Sequence, residues 1–285
     1  MMWSKFIKYS AMSLSVRGLN LAEPQVMAII NVTDDSFYAT SRTMSVQAIA
    51  ERAKQAIAEG ATILDVGGYS SRPGAEHISM EQEWQRVEMG LKAIRSVSED
   101  IVISVDTFRS EVARRALQEF GELIVNDISA GELDDKMVDV VAENDVPYVA
   151  MHMRGTPQTM QQQINLKQDI TEQVVEYFSQ RVEQLRERGV SKLILDPGFG
   201  FAKNLKQNYE LLLGLDRICA MGYPVLAGLS RKSMIYNLLG VSASDSATLE
   251  GTKILNYQAL CQGATILRVH DVKEAVELIK QFKIR

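Results

Sequence analysis

Short apolar runs alternate with longer amphipathic segments along the chain. The runs are nearly continuous stretches of Val, Ile and Leu, which is typical of strands buried on both faces of a parallel sheet. In the segments between them, as in 45–59 and 171–188, apolar residues recur at helical spacing, and Gly60 and Gly189 mark the predicted helix ends. The predicted strands are 26–30, 62–66, 101–105, 123–125, 147–151, 192–195, 224–228 and 265–269.

Eight strand–helix units in succession predict an α/β fold of the (β/α)₈ TIM-barrel type. The alternative is an open doubly wound sheet, but no GxGxxG fingerprint follows the first strand, and this favours the barrel. The segment 12–22 predicts a small N-terminal β-hairpin that plugs the bottom of the barrel. Because no Pro/Gly/Ser-rich linker interrupts the pattern, we expect residues 1–285 to form a single domain.

Polar residues follow the predicted strands at their C-terminal ends, which is where (β/α)₈ enzymes carry their active sites. Any one of these residues is equally well explained as a cap for the following helix. A set that recurs after every strand favours a shared site. The set comprises Asn31, Asp65, Asp106, Asn126, Asp127, His152, Asp196, Ser230, Arg231, Lys232, Arg268 and His270.

Two loops at this end of the barrel have a distinctive composition. Loop one (31–37, NVTDDSF) is polar and ends in an aromatic residue, and loop two (67–74, GGYSSRPG) combines glycines, hydroxyls and an arginine. Backbone amides freed by glycine, hydroxyl donors and a guanidinium suit a phosphate or pyrophosphate group. Loop two alone is more often an ordinary turn, and it matches neither the Walker A pattern nor GxGxxG.

Charged side chains strengthen the case for an anionic group in the site. Arg268 and His270 alternate along the last strand and therefore point to the same side, and Arg231 and Lys232 follow the neighbouring strand. Together these cations suggest a polyanionic leaving group. The acceptors suited to a neutral heterocycle beside it are Asp106, Asn126 and Asp196.

Composition excludes several classes of function. The formal net charge is −5 and no basic run occurs, which argues against nucleic acid as a partner. No apolar stretch approaches the ~18 residues of a spanning helix, and the N-terminus lacks the apolar core of a signal peptide. We therefore expect no membrane association. Cys219 and Cys261 show no metal-binding or disulfide spacing, which favours a cytoplasmic protein. The patterns HExxH and GxSxG are absent.

The motifs, taken in order, resemble the dihydropteroate synthase family over nearly the whole chain. The resemblance implies a (β/α)₈ barrel, a cytoplasmic and usually dimeric enzyme, and the substrates 6-hydroxymethyl-7,8-dihydropterin pyrophosphate and p-aminobenzoate. The products would be 7,8-dihydropteroate and pyrophosphate, and sulfonamides would compete for the aminobenzoate site. The motifs are MAIINVTDDSF (27–37), DVGGYSSRPGA (65–75), SVDTF (104–108), VNDISA (125–130), LDPGFGFAK (195–203), GLSRKS (228–233) and GATILRVHDV (263–272).

The same resemblance assigns roles to individual residues. Asp196, Asn126 and Asp106 would bind the edge of the pterin. Lys232 would bind its oxygen side, and Arg268 would lie over the ring and reach the pyrophosphate. Asn31 would hold Mg²⁺ against that anion. The residues that would grip the departing pyrophosphate are Ser71, Arg72 and His270, and those that would line the aminobenzoate site are Phe199, Pro73 and Ser230.

Two positions depart from the family pattern. Asp34 stands where loop one usually has proline, which predicts a more mobile loop and adds a negative charge or a further magnesium ligand. Ser71 replaces the usual threonine and keeps the hydroxyl.

Three alternative functions remain at this point. One is a methyltetrahydrofolate-dependent methyltransferase, whose related barrel also binds a pterin. Another is a catalytically weak homologue that binds pterin as a scaffold or regulator, and the third is a generic phosphate-binding barrel.

Overall fold

The computed structural model describes residues 14–21, 23–32, 42–70, 77–156, 159 and 168–284, with the backbone alone for 42–45. The strands are β1 (Ser15–Val16), β2 (Leu19–Asn20), β3 (Gln25–Asn31), β4 (Ile63–Gly67), β5 (Val102–Asp106), β6 (Ile124–Asp127), β7 (Tyr148–Met151), β8 (Leu193–Asp196), β9 (Leu226–Ala227) and β10 (Ile266–Val269).

The helices surround the strands in chain order. They are α1 (Arg42–Glu59), α2 (Met80–Arg95), α3 (Ser110–Phe120), α4 (Lys136–Asn144), α5 (Ile170–Glu187), α6 (Leu205–Leu213), α7 (Leu215–Cys219), α8 (Ser233–Leu239), α9 (Ser246–Cys261) and α10 (Val272–Lys283). The two helices predicted at 45–59 and 171–188 are confirmed as α1 and α5. Both are followed by a glycine at positive φ, with φ +101° at Gly60 and +93° at Gly189.

The main sheet is a closed barrel of eight parallel strands. Neighbouring strands follow the order β8-β7-β6-β5-β4-β3-β10-β9. The two ends of this order meet because Leu195 forms a parallel bridge with Val225, and its N–H donates to the Pro224 carbonyl at 2.9 Å. The predicted (β/α)₈ barrel is therefore confirmed, and each of the eight predicted runs overlaps an observed strand.

The N-terminal hairpin is also confirmed, and it closes the bottom of the barrel. β1 and β2 pair antiparallel around Arg17 and Gly18, which both have positive φ, as a type I′ turn requires. Leu14, Val16 and Leu21 are buried against one apolar side chain from each barrel strand. This layer of the barrel consists of Met27, Ile63, Val102, Ile124, Val149, Ile194, Leu226 and Ile266.

The inward-facing side chains change from apolar at the bottom of the barrel to polar at the C-terminal ends of the strands. Along β10, for example, Ile266 faces the plug, and Arg268 follows on the same side because successive side chains alternate across a strand. The outward faces pack against the helices in one continuous hydrophobic core. The polar residues are thus concentrated at the C-terminal end of the barrel. Among the described residues, no helix is long and apolar enough to cross a membrane.

Candidate active site

A single arginine joins two carboxylates inside the top of the barrel. Arg268 on β10 donates from Nε to Asp65 Oδ2 at 2.7 Å and from Nη2 to Asp106 Oδ2 at 2.6 Å. Asp65 has no exposed surface, and it also accepts from Asn126 Nδ2 at 3.3 Å. Desolvation raises the pKa of Asp106 to about 7, with Arg268 acting in the opposite direction. The guanidinium is therefore fixed in position by two neighbouring strands, β4 and β5, which β3 separates from its own strand.

Asn31 lies at the end of β3, directly opposite Gly67 of β4. Gly67 lies beside Asp106 of β5, where a Cβ would be in van der Waals contact, 3.4 Å from Asp106 Cβ. The next residue, Gly68, packs so closely on α2 that a Cβ would come within 2.9 Å of the Glu83 carbonyl oxygen. The end of β4 is thus held against β5 and α2 at the point where loop two begins.

The predictions for the remaining residues of loops one and two fall largely outside the described part of the chain. Asp34 belongs to the undescribed segment 33–41, and Ser71, Arg72 and Pro73 belong to 71–76. Their proposed roles stay predictions.

Asp196 ends β8 and is held by the loop that follows it (197–203, the β8 loop). The Gly198 N–H donates to Asp196 Oδ1 at 2.7 Å. The Lys232 ammonium donates to the Phe199 carbonyl and lies 5.0 Å from the centroid of the Phe201 ring. Desolvation lowers the pKa of Lys232 to about 8, and Asp196 opposes this shift. Asp196 and Lys232 therefore form an acceptor and a donor on one side of the pocket.

The predicted role of Phe199 requires correction. Its side chain has no exposed surface and belongs to the main hydrophobic core, where it cannot line a ligand site. Phe201, two residues later, is partly exposed and packs with an apolar cluster at the top of the barrel. We therefore transfer the proposed aminobenzoate contact to Phe201. The cluster consists of Phe108, Ile128, Met151, Met153, Phe201 and Ala202.

Ser230 and His270 follow the adjacent strands β9 and β10. The His270 backbone N–H donates to Ser230 Oγ at 3.2 Å, and the same hydroxyl lies 3.0 Å from His270 Nδ1. Because Ser230 Oγ accepts from the backbone, its own hydrogen is available to Nδ1. This pair fixes the orientation of the imidazole ring.

Two of the polar strand-end residues serve the scaffold. Arg231 makes a two-point ion pair with Asp271, at 2.8 Å for each contact, so its charge is matched outside the pocket. Asp127 is fully buried and accepts from Ser129, Gly131 and the Tyr148 hydroxyl. Among the described residues, the cationic side of the site thus depends on Lys232 and Arg268.

Asp65 is the residue that sequence reasoning undervalued. The sequence pattern places it among the polar residues that follow the strands, but it indicates no role for it in the site. The available signal was its inward position in β4, between Ile63 and Gly67, where a buried carboxylate requires a partner.

Comparison with known proteins identifies the family of this chain. The sequence matches the family described as "Pterin binding enzyme" over residues 27–270. A dihydropteroate synthase of Escherichia coli strain K12 is 42% identical over 264 residues, 92% of each chain. A solved Xanthomonas albilineans dihydropteroate synthase with 4-aminobenzoic acid is 35% identical, with TM-score 0.85, and covers 95% of this chain and 97% of that one. A Yersinia pestis dihydropteroate synthase in a sulfonamide complex is 36% identical, with TM-score 0.86 and coverage of 96% and 98%.

The fold and the site together define a pterin-binding (β/α)₈ enzyme. At this identity and coverage, the chain belongs to the dihydropteroate synthase family, whose members are transferases of folate biosynthesis. The methyltransferase and the generic phosphate-binding barrel lose their support.

The correction at the β8 loop gives a paired mutational prediction. Phe199→Ala should lower the free energy of unfolding by about 3–5 kcal/mol because it leaves a cavity in the core. Phe201→Ala should lower it by much less and should instead raise the KM for p-aminobenzoate. Urea unfolding and steady-state kinetics on both variants check this prediction. A raised KM in folded Phe199→Ala, with normal kinetics in Phe201→Ala, would contradict the correction.

Proposed function

We propose that this chain condenses 6-hydroxymethyl-7,8-dihydropterin pyrophosphate with p-aminobenzoate, through the residues assigned below. The observation that carries the assignment is the arrangement of Asp106, Asn126 and Asp196 as buried or half-buried polar groups beside the cations of Lys232 and Arg268. Neutral heterocycles with several N–H groups require such acceptors, and a pyrophosphate requires such cations.

Pterin recognition follows from the chemistry of its edge. The pterin presents an amino group and a ring N–H side by side, and the Asp196 carboxylate accepts from both. Asn126 and Asp106 complete this edge, and Lys232 donates to the pterin oxygen. A ligand that leaves these groups unpaired loses about 1–3 kcal/mol for each, which gives the pocket its specificity.

The leaving group is bound on the other side. Arg268 lies over the pterin ring, and its Nη1 has no partner among the described residues and is directed to the pyrophosphate. His270, oriented by Ser230, binds the same anion, and Ser71 and Arg72 of loop two are proposed to join it.

Asn31 fits the role of a magnesium ligand. It supplies an amide oxygen at the end of β3, and within the described residues no group of three or more His, Cys, Asp or Glu side chains is placed to hold a metal ion. Mg²⁺ typically has few protein ligands and completes its shell with water and substrate phosphate oxygens. When bound, the ion neutralises charge on the pyrophosphate.

The transfer forms one C–N bond and breaks one C–O bond. Pyrophosphate departs with the electron pair of the C–O bond, and the cation on the pterin methylene is delocalised into the ring. The arylamine nitrogen attacks this carbon with its lone pair and then releases a proton to solvent. Since the amine is already neutral at pH 7, stabilisation of the leaving anion is the main catalytic task, and no strong general base is required.

The aminobenzoate site lies beyond the pterin methylene. Phe201 and Ser230 line it, and Pro73 is proposed to complete it. Relatives solved with 4-aminobenzoic acid and with a sulfonamide support an aminobenzoate site in this family, and sulfonamides are expected to compete for it.

Three further properties belong to the proposal. The chain works as a single domain over residues 1–285, and the continuous core supports this. It is cytoplasmic, in keeping with two free cysteines, Cys219 and Cys261.

The chain also forms a homodimer through the neighbouring helices α6, α8 and α9. These helices carry Leu213, Leu238 and Ile254, whose exposed fractions are 63%, 59% and 66%.

The dimer proposal predicts an apparent mass of twice 31.8 kDa in light scattering. Ile254→Asp combined with Leu238→Asp should give the monomer mass, because charge on a buried apolar interface is costly. Leu133→Asp, at an exposed leucine away from these helices, is the control and should remain a dimer. A wild-type mass of 31.8 kDa would overturn the proposal.

Asp196→Asn tests the assignment of the pterin site. The amide can accept only one of the two pterin hydrogen bonds, so affinity for the pterin should fall at least tenfold, equivalent to about 1.4 kcal/mol. Calorimetric titration with the pterin alcohol measures this. Asp216→Asn, at an exposed carboxylate on α7, is the matched control. Unchanged affinity in Asp196→Asn would refute the assignment.

The raised pKa of Asp106 predicts the pH dependence of pterin binding. Above about pH 7 the carboxylate is ionised and accepts hydrogen bonds; below it, protonation removes an acceptor. Affinity for the pterin alcohol should therefore fall by up to about tenfold per unit as pH decreases below this value. The alcohol carries no phosphate to titrate. In Asp106→Asn the affinity should be low and independent of pH across this range; a persisting pH dependence would contradict the attribution.

A further inference from the structure

A buried lysine that the proposed chemistry does not use, Lys203, is the last residue of the β8 loop. The side chain of Lys203 is almost completely buried. Its ammonium donates to the Gly198 carbonyl at 2.8 Å, to the Phe201 carbonyl at 2.9 Å, and lies 3.1 Å from His152 Nδ1. All three N–H groups of the ammonium are thereby used within one short segment and its neighbouring strand end.

This lysine has neutral partners. Within the described residues, no carboxylate lies within ion-pair distance of its Nζ atom. Burial lowers the pKa of Lys203 to about 7, although the charge of Asp196 opposes the shift. Burying an ammonium without a counter-ion costs stability, and an apolar side chain would fill the same space at a smaller cost. Packing alone therefore does not account for a lysine here.

The atoms that Lys203 holds belong to the segment that builds the pocket. The Gly198 amide binds Asp196, the Phe199 carbonyl binds Lys232, and the Phe201 ring lies under the same ammonium. Lys203 binds the carbonyls of Gly198 and Phe201, on either side of the Phe199 anchor. A movement of this loop would therefore displace the Asp196 carboxylate, the Lys232 ammonium and the Phe201 ring together.

The loop is also confined on the side of β7. Gly198 has φ +69°, and a Cβ at this position would lie 2.1 Å from the His152 carbonyl oxygen. His152 is buried, and desolvation lowers its pKa well below the usual value, so its ring is neutral. In that form Nδ1 accepts the third hydrogen of the Lys203 ammonium. The position of the loop is thus set by one lysine, one imidazole acceptor and one glycine.

We infer that Lys203 and His152 are positioning residues for the transfer reaction, which hold the β8 loop so that Asp196, Lys232 and Phe201 meet the pterin and the arylamine together. The inference rests on the proposed function of this pocket. Neither residue touches substrate in this account; each acts through the loop.

Lys203→Met tests the inference, with Lys206→Met as the matched control. Lys206 lies three residues later, is exposed and pairs with Glu210 on the surface of α6. At a temperature where circular dichroism shows both variants folded, Lys203→Met should weaken binding of the pterin alcohol and raise the KM for p-aminobenzoate, each about tenfold or more. The kcat should fall less, because the groups displaced bind both ground and transition states. Lys206→Met should match the wild type.

A second pair of variants separates positioning from packing. The side-chain oxygen of asparagine can take the place of imidazole Nδ1. In His152→Asn, the affinity for the pterin alcohol and the KM for p-aminobenzoate should therefore stay near the wild-type values. His152→Leu removes the acceptor and should behave like Lys203→Met. If Lys203→Met does not fold, the comparison at His152 decides the question.

Wild-type pterin affinity and KM in folded Lys203→Met, or equal behaviour of the two His152 variants, would overturn the inference. A wild-type chain that binds pterin but releases no pyrophosphate would instead refute the proposed transfer. The affinity measurements would still decide whether Lys203 positions the pterin site.

Discussion

The buried pairing of Arg268 with Asp65 and Asp106 is the interaction on which the arrangement of the site depends. An uncompensated charge inside the barrel would destabilise the protein by several kcal/mol, so the three groups stabilise one another's positions. Their strands, β4, β5 and β10, contact one another directly or through β3. Below this polar layer, the hairpin and eight apolar side chains exclude water. The bottom of the barrel therefore stabilises the fold, and the candidate site lies at its C-terminal end.

Most of the fold was predictable because parallel strands have a simple signature. Strands buried on both faces give continuous Val, Ile and Leu runs, and the end of each run locates the polar residue that reaches the pocket. Asp106, Asn126, Asp196 and Arg268 all lie at or near the ends of observed strands. The hairpin was predictable from its turn, since Arg17-Gly18 interrupts a short apolar stretch.

The loops were less predictable, because backbone turns decide which side chain faces the site. Positive φ at Gly198 and Gly200 turns the β8 loop, in which Phe199 enters the core and Phe201 faces Lys232. Arg231, also at positive φ, is directed to Asp271 and away from the anion. The pattern of apolar and polar residues does not show in which direction such a turn points each side chain. The role of Lys203 was missed for a related reason, since a lysine after a glycine-rich turn is normally expected to be exposed.

The central claim is that this pocket joins an arylamine to a pterin and expels pyrophosphate, and a steady-state assay of pyrophosphate release tests it most directly. The assay contains the pterin pyrophosphate and Mg²⁺, with p-aminobenzoate present or absent. The account predicts release that depends on p-aminobenzoate and yields an equal amount of 7,8-dihydropteroate. Binding of the pterin without release would contradict it, and would favour a pterin-binding homologue in which loop one, with Asp34, no longer supports catalysis.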